Sequence, residues 1–178
     1  MKKIVQIRKR NIFADGEIIE YENYPSLDFK LSQVSILHAQ LTKLVDSEQI
    51  ILYEDGTSFI LPINNVINVL ADKTTFLVIY GEQPNKFSKI KENPWFFTPP
   101  NNAAIYNSDG SLKFQLIIPR EADGDIIYQV AGSSRKYPTF TTVILNNTNH
   151  DNNIGWYSLY AINPNEAVLI PTGETIKF

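Results

Sequence analysis

The chain holds two histidines, His38 and His150, more than a hundred residues apart. His150 precedes Asp151, and a carboxylate that orients an imidazole makes a general base. Neighbours on a strand point to opposite faces, however, so only a loop could bring these two together. His38 stands in a segment of helical periodicity and is read as a half-buried packing residue that keeps a hydrogen bond. No H-x-x-x-H spacing occurs and there is no cysteine, which excludes disulfides, thiolate chemistry and Cys-based zinc sites. Neither a G-x-S-x-G elbow, a P-loop nor a G-x-G-x-x-G fingerprint is present. "EADGDIIY" (121–128) alternates oxygen ligands as a calcium loop does, but it lacks the twelve-residue set closed by a bidentate Glu and reads as a turn between strands. The expectation is a chain that is not an enzyme, with no catalytic residue, no metal and no cofactor.

The elements that position the remaining residues are mostly strands. "QIILYEDGTSFILP" (49–62) and "AAIYNSDGSLKFQLIIP" (103–119) read as hairpins whose turns centre on Asp55-Gly56 and on Asn107 to Gly110. "KIVQI", "TTFLVIY", "DIIYQVAG", "TFTTVIL", "GWYSLYAI", "AVLIP" and "ETIKF" are β-branched and aromatic runs bounded by Gly, Pro, Asn or Asp. "SLDFKLSQVSILHAQLTKLV" (26–45) places Leu27, Leu31, Val34, Leu37 or His38, Leu41 and Leu44 or Val45 at helical spacing. That predicts a helix near residues 27–45 with this face inward and Lys30, Ser32, Gln33, Gln40 and Lys43 outward. "INNVINVLADK" (63–73) fits either a short helix or a strand. The predicted class is mostly β (α+β), an antiparallel, sandwich-like fold of about ten or more short strands with one main helix in the N-terminal half.

A length of 178 residues suffices for a sizeable core, and a composition that is 43% hydrophobic and 20% charged is that of an ordinary soluble globular protein. One globular unit over 1–178 is expected. The Pro-rich stretch 81–102 is a connection that offers a subdivision into an α+β half (1–90) and an all-β half (95–178). The N-terminal apolar run breaks at Arg8, Lys9 and Arg10, and no apolar run is of membrane-spanning length. A cytoplasmic protein without signal peptide or membrane contact is predicted.

The first ten residues carry five bases and no acid, which leaves eleven bases against nineteen acids in the rest of the chain. Asp15, Glu17, Glu20, Glu22 and Asp28 form one acidic cluster, and Glu121, Asp123 and Asp125 form another. Such surfaces repel nucleic acid and attract basic partners. Aromatic residues supply a second candidate surface. In "GWYSLY", strand alternation separates Trp156, Ser158 and Tyr160 from Tyr157 and Leu159, and an exposed face there, or one around Trp95, could stack on a sugar or anchor a protein.

"AAIYNSDGSLKFQLIIP", the aromatic strand "GWYSLYAINPNEAVL" and the closing "IPTGE" together resemble a pattern found in immunity proteins of bacterial contact-dependent or polymorphic toxin systems, over about residues 95–178. The resemblance implies a protein that binds a cognate toxin domain and blocks its active site or substrate access. The partner expected is a basic nuclease domain. Asp15, Glu17, Glu20, Glu22, Glu121, Asp123, Asp125, Trp156 and Tyr157 are the candidate contacts. A carbohydrate-binding β-module that uses exposed aromatics and a small enzyme without a recognisable motif are the alternatives.

Overall fold

The computed structural model describes residues 1–90, 92–122, 125–147 and 156–177, with the backbone alone for Glu121, Asn147 and Trp156. Asp123, the His150–Asp151 pair and most of the Asn-rich stretch 146–153 lie outside the described residues. Among the described residues the strands are β1 (Ile4–Phe13), β2 (Ile18–Tyr24), β3 (Leu44–Tyr53), β4 (Ser58–Leu61), β5 (Ile67–Val69), β6 (Thr75–Ile79), β7 (Ala103–Asn107), β8 (Leu112–Gln115), β9 (Asp125–Ala131), β10 (Thr142–Asn147), β11 (Trp156–Ala161) and β12 (Ile170–Lys177). One α-helix, α1 (Phe29–Leu41), joins β2 to β3. The strands form three antiparallel four-stranded sheets, ordered β2-β1-β3-β4, β5-β6-β7-β8 and β12-β11-β10-β9. The chain is thus mostly β with one main helix in its N-terminal half, the class expected from the sequence.

The two Asp-Gly hairpins form where turn chemistry puts them. Gly56 and Gly110 take φ of +80° and +84°, and the carboxylates of Asp55 and Asp109 accept the N–H of Thr57 and Ser111. "INNVINVLADK" supplies β5, so the strand alternative holds there. The segment 18–24, which holds two residues of the acidic cluster, is itself a strand, β2.

The β5-β8 sheet is central because both its faces are covered. Phe76, Val78, Tyr80, Ala104 and Tyr106 pack with Ile4, Ile7, Ile51 and Tyr53 of the first sheet. Leu77, Ala103 and Ile105 pack with Ile127, Val143, Leu145 and Tyr160 of the third. A strand buried on both sides loses its polar alternation, and this accounts for the unbroken apolar run in "TTFLVIY".

The stretch 81–102 contains no strand or helix among the described residues, as its prolines dictate, yet it is part of the interior. Trp95 and Phe97 are each 8% exposed, and Trp95 lies flat on Tyr106, with ring centroids 4.4 Å apart and planes 6° off parallel. The exposed platform envisaged around Trp95 is therefore absent. Stacking on Tyr106 supplies more buried area than solvent contact could return.

Candidate functional site

Helix α1 begins at Asp28, whose carboxylate accepts the Leu31 N–H at 3.0 Å, and ends as Thr42 turns extended toward β3. It is shorter than the predicted 27–45 and is oriented differently. Its buried side chains are Ser32 and Ser35. Ser35 Oγ accepts from Asn11 Nδ2 at 2.8 Å, and Asn11 Oδ1 in turn accepts the Ser47 hydroxyl at 2.5 Å. Asn11 and Ser47 are directly opposed across β1 and β3. One turn further on, the His38 ring sits edge-on to Phe13 at 4.6 Å, and its Nε2 pairs with Asp15 Oδ2 at 2.9 Å. Residues 32, 35 and 38 recur every three positions, so the helix is seated along a polar stripe.

The predicted apolar stripe exists, but it is not buried against the sheet. Leu31, Val34, Leu37 and Leu41 are all exposed, the last at 85%, and Phe29 and Ile36 on the opposite flank are exposed as well. Leu31, Val34 and His38 border an open groove of about 310 Å³ whose other wall is Glu17, Ile18, Ile19 and Glu20 of β2 and the turn before it. Because β2 is an end strand of its sheet, the groove runs between a helix and a free sheet edge. Contiguous apolar surface of this kind, rimmed by polar groups, marks an interaction site more often than a solvated face.

The acidic cluster divides on inspection. The β1–β2 register sets Arg10 opposite Glu20 and Arg8 opposite Glu22. Glu20 meets Arg8 at 3.2 Å and Arg10 at 2.9 Å, and Arg10 goes on to Glu48, which also holds Lys89 at 2.7 Å. Glu22 accepts from Gln6 Nε2, and Gln6 Oε1 accepts from Arg8. The basic N-terminus and the acidic segment thus meet across one hairpin: Glu20 is offset by Arg8 and Arg10, whereas Glu22 is held by the neutral Gln6 amide. Asp15 is held below the usual carboxylate range by the Glu17 N–H, with His38 adding to it. Glu17 is exposed and makes no ion pair among the described residues.

Of the second acidic knot, only Asp125 is described with its side chain. Asp125 heads β9 and is 8% exposed, Glu121 belongs to a 3₁₀ turn (Arg120–Ala122), and Asp123 lies outside the described residues. Tyr157 stacks on Tyr128 at 6.5 Å. For Trp156 only the backbone is described, paired with Lys177. The extra residues between the Ser158–Thr175 and Tyr160–Pro171 pairs lie on β12, whereas β11 pairs regularly with β10, so the alternation expected in "GWYSLY" is kept: Tyr160 joins the core cluster and Leu159 does not.

The motifs that carry the family resemblance have architectural work. Tyr106 bonds Tyr80 through the two hydroxyls at 2.7 Å, donates to Pro94 O and lies under Trp95. Gly110 leaves room for the Phe59 ring, which a Cβ there would meet at 2.8 Å. In "PTGE", Thr172 donates to Leu159 O at 2.7 Å, while the Glu174 carboxylate accepts the N–H groups of Arg135 and Lys136. No three His, Asp or Glu side chains converge as a metal-binding group among the described residues, and no helix there is long and apolar enough to cross a membrane. No family model, curated protein or solved structure matches the chain.

Proposed function

We propose that the chain is a protein-binding inhibitor, an immunity-type partner of a basic toxin domain, and that it docks through the outward side of α1. The observation that carries this is the apolar stripe Leu31, Val34, Leu37 and Leu41, extended by Ile18 and left uncovered because the serine side of the helix makes the bonds to the sheet. An amphipathic helix laid into an apolar groove is a recurrent mode of recognition, read through anchors at three- and four-residue spacing. Glu17 and Asp15 at the rim fit a partner whose groove is edged by Lys or Arg, and they would raise the association rate more than the final affinity. The rigid first sheet beneath α1 limits the entropy lost on docking.

The test is co-expression with candidate basic toxin nuclease domains. Wild type is expected to restore growth, and Leu37→Asp with Leu41→Asp is expected to abolish the rescue while leaving the thermal midpoint unchanged. Rescue by the double variant at wild-type level contradicts the assignment. So does a stable dimer of the free chain that buries α1, because the stripe would then belong to a second copy.

A further inference from the structure

A second site shares no lining residue with the groove beside α1. Between the end of β6, the loop before β5 and the end strand β9 runs a cleft of about 690 Å³. Six side-chain amides line it: Asn64, Asn65, Asn68, Asn85, Asn102 and Gln129. Its walls are apolar, formed by Ile79, Pro99, Ile127 and Val130, and the half-exposed ring of Tyr128 stands at its rim. Among the described residues neither Lys, Arg nor His lines it, and Glu82 is its one carboxylate.

The amides divide into two groups. Asn102 is fully engaged, donating to Tyr80 O at 2.6 Å and Ile127 O at 2.9 Å and accepting the Ile127 N–H at 3.1 Å. Asn65 donates to Ile79 O, while Asn85 donates to Asn64 O and accepts the Phe87 N–H. Asn68 and Gln129, on the two strands that face each other across the cleft, make no side-chain hydrogen bond among the described residues. Asn64 is 6% exposed, and its Oδ1 has no partner within hydrogen-bond reach. A buried acceptor left unbonded is costly, and a native structure rarely keeps one without a use for it.

We propose that this cleft binds a neutral, hydroxyl-rich ligand, a sugar ring, held by Asn64, Asn68 and Gln129 and packed against Tyr128. Carboxamides both donate and accept, as sugar hydroxyls do, and the C–H faces of the ring suit apolar and aromatic walls. An anion would find no counter-charge among the described residues here. An added peptide strand is disfavoured because Asn102 already holds both the N–H and the C=O of Ile127 on the β9 edge. The site is independent of the α1 face, and each can fail without the other.

The experiment is a titration of isotopically labelled protein with maltose, cellobiose and lactose, with glucose 6-phosphate and a capped tri-alanine peptide as comparison probes. A saturable shift of the amide signals of residues 64–68 and 126–130 with at least one neutral disaccharide is expected. Asn68→Ala and Gln129→Ala, both at partly exposed positions, should each weaken that binding about tenfold with the protein still folded. Absence of saturation with all three disaccharides overturns the assignment. Equal or tighter binding of the phosphorylated sugar, or saturation by the peptide in their place, overturns it also.

Discussion

Asn11 bonds Ser35 of α1 and Ser47 of β3 at the same time, through Nδ2 to one and Oδ1 from the other, with all three side chains buried. A sheet position that could hold a leucine instead holds a carboxamide, and its complement on the helix is a serine. The bond fixes which side of α1 faces inward.

Removing either end should cost stability. Asn11→Ala strands two buried hydroxyls and is expected to lower the unfolding free energy by about 2–4 kcal/mol, against about 1–2 kcal/mol for Ser35→Ala, since each unsatisfied group costs about 1–3 kcal/mol. Urea unfolding of the two variants and of the double variant checks this. The double should fall well short of additive, because the residues share one bond.

Glycine substitution separates backbone strain from ring contact. Gly16 (φ +90°) has open space where a Cβ would go, whereas at Gly110 (φ +84°) a Cβ meets the Phe59 ring at 2.8 Å and Trp95 at 3.3 Å. Gly16→Ala should cost about 1 kcal/mol from the left-handed conformation alone. Gly110→Ala should cost distinctly more, because the partly buried Phe59 ring must shift from its place against the core to make room. Equal thermal shifts for the two variants would contradict the packing assigned to Gly110.

How much of this was legible in the sequence varies with the range of the interaction. The stripe of Leu31, Val34, Leu37 and Leu41 is plain from spacing, but spacing cannot say whether a stripe faces its own sheet. That depends on Asn11 reaching Ser35, twenty-four residues away. The turn at Asp15-Gly16 carries the same signal that correctly marked Asp55-Gly56 and Asp109-Gly110, and Gly16 takes φ +90°. Surrounding charge hid it, and with it the strand β2 and the pairing of Glu20 with Arg8 and Arg10. In the cleft, three asparagines within five residues of "INNVIN" interrupt an otherwise apolar segment. That was a visible oddity whose meaning needed β9 beside it.

Acid and alkali should act on different parts of the molecule. Asp15 and Asp109 are held below the ordinary carboxylate value by hydrogen bonds within their turns, as is Asp55, where Lys2 contributes most. A depressed carboxylate stabilises the fold above its unfolded pKa, and that stability is lost as pH falls below about 3.8, the ordinary value. Tyr106 moves the other way, pushed up to about 12 by burial. Its stabilising effect is complete below its unfolded value of 10.0 and fades as pH rises from there toward about 12. Tyr106→Phe should remove part of the alkaline transition and leave the acid one in place, measured by near-ultraviolet circular dichroism across both ranges.

The rim charges separate binding from folding. Glu17→Lys should leave stability within about 0.5 kcal/mol of wild type, as exposed changes do. It should also slow association with a basic partner and flatten its salt dependence. Glu20→Lys is a poor probe of the interface, because it sets a third cation beside Arg8 and Arg10 and disturbs the sheet itself.

Calorimetric titration of a candidate basic toxin domain, one that wild type neutralises on co-expression, into wild type and into Leu37→Asp/Leu41→Asp tests the central claim most directly. An unchanged unfolding midpoint with affinity weakened well beyond tenfold is the result predicted for a docking face made of residues the fold leaves bare. Wild-type affinity in the double variant, or a loss of affinity that merely tracks a loss of stability, would contradict the assignment of α1 as the binding surface.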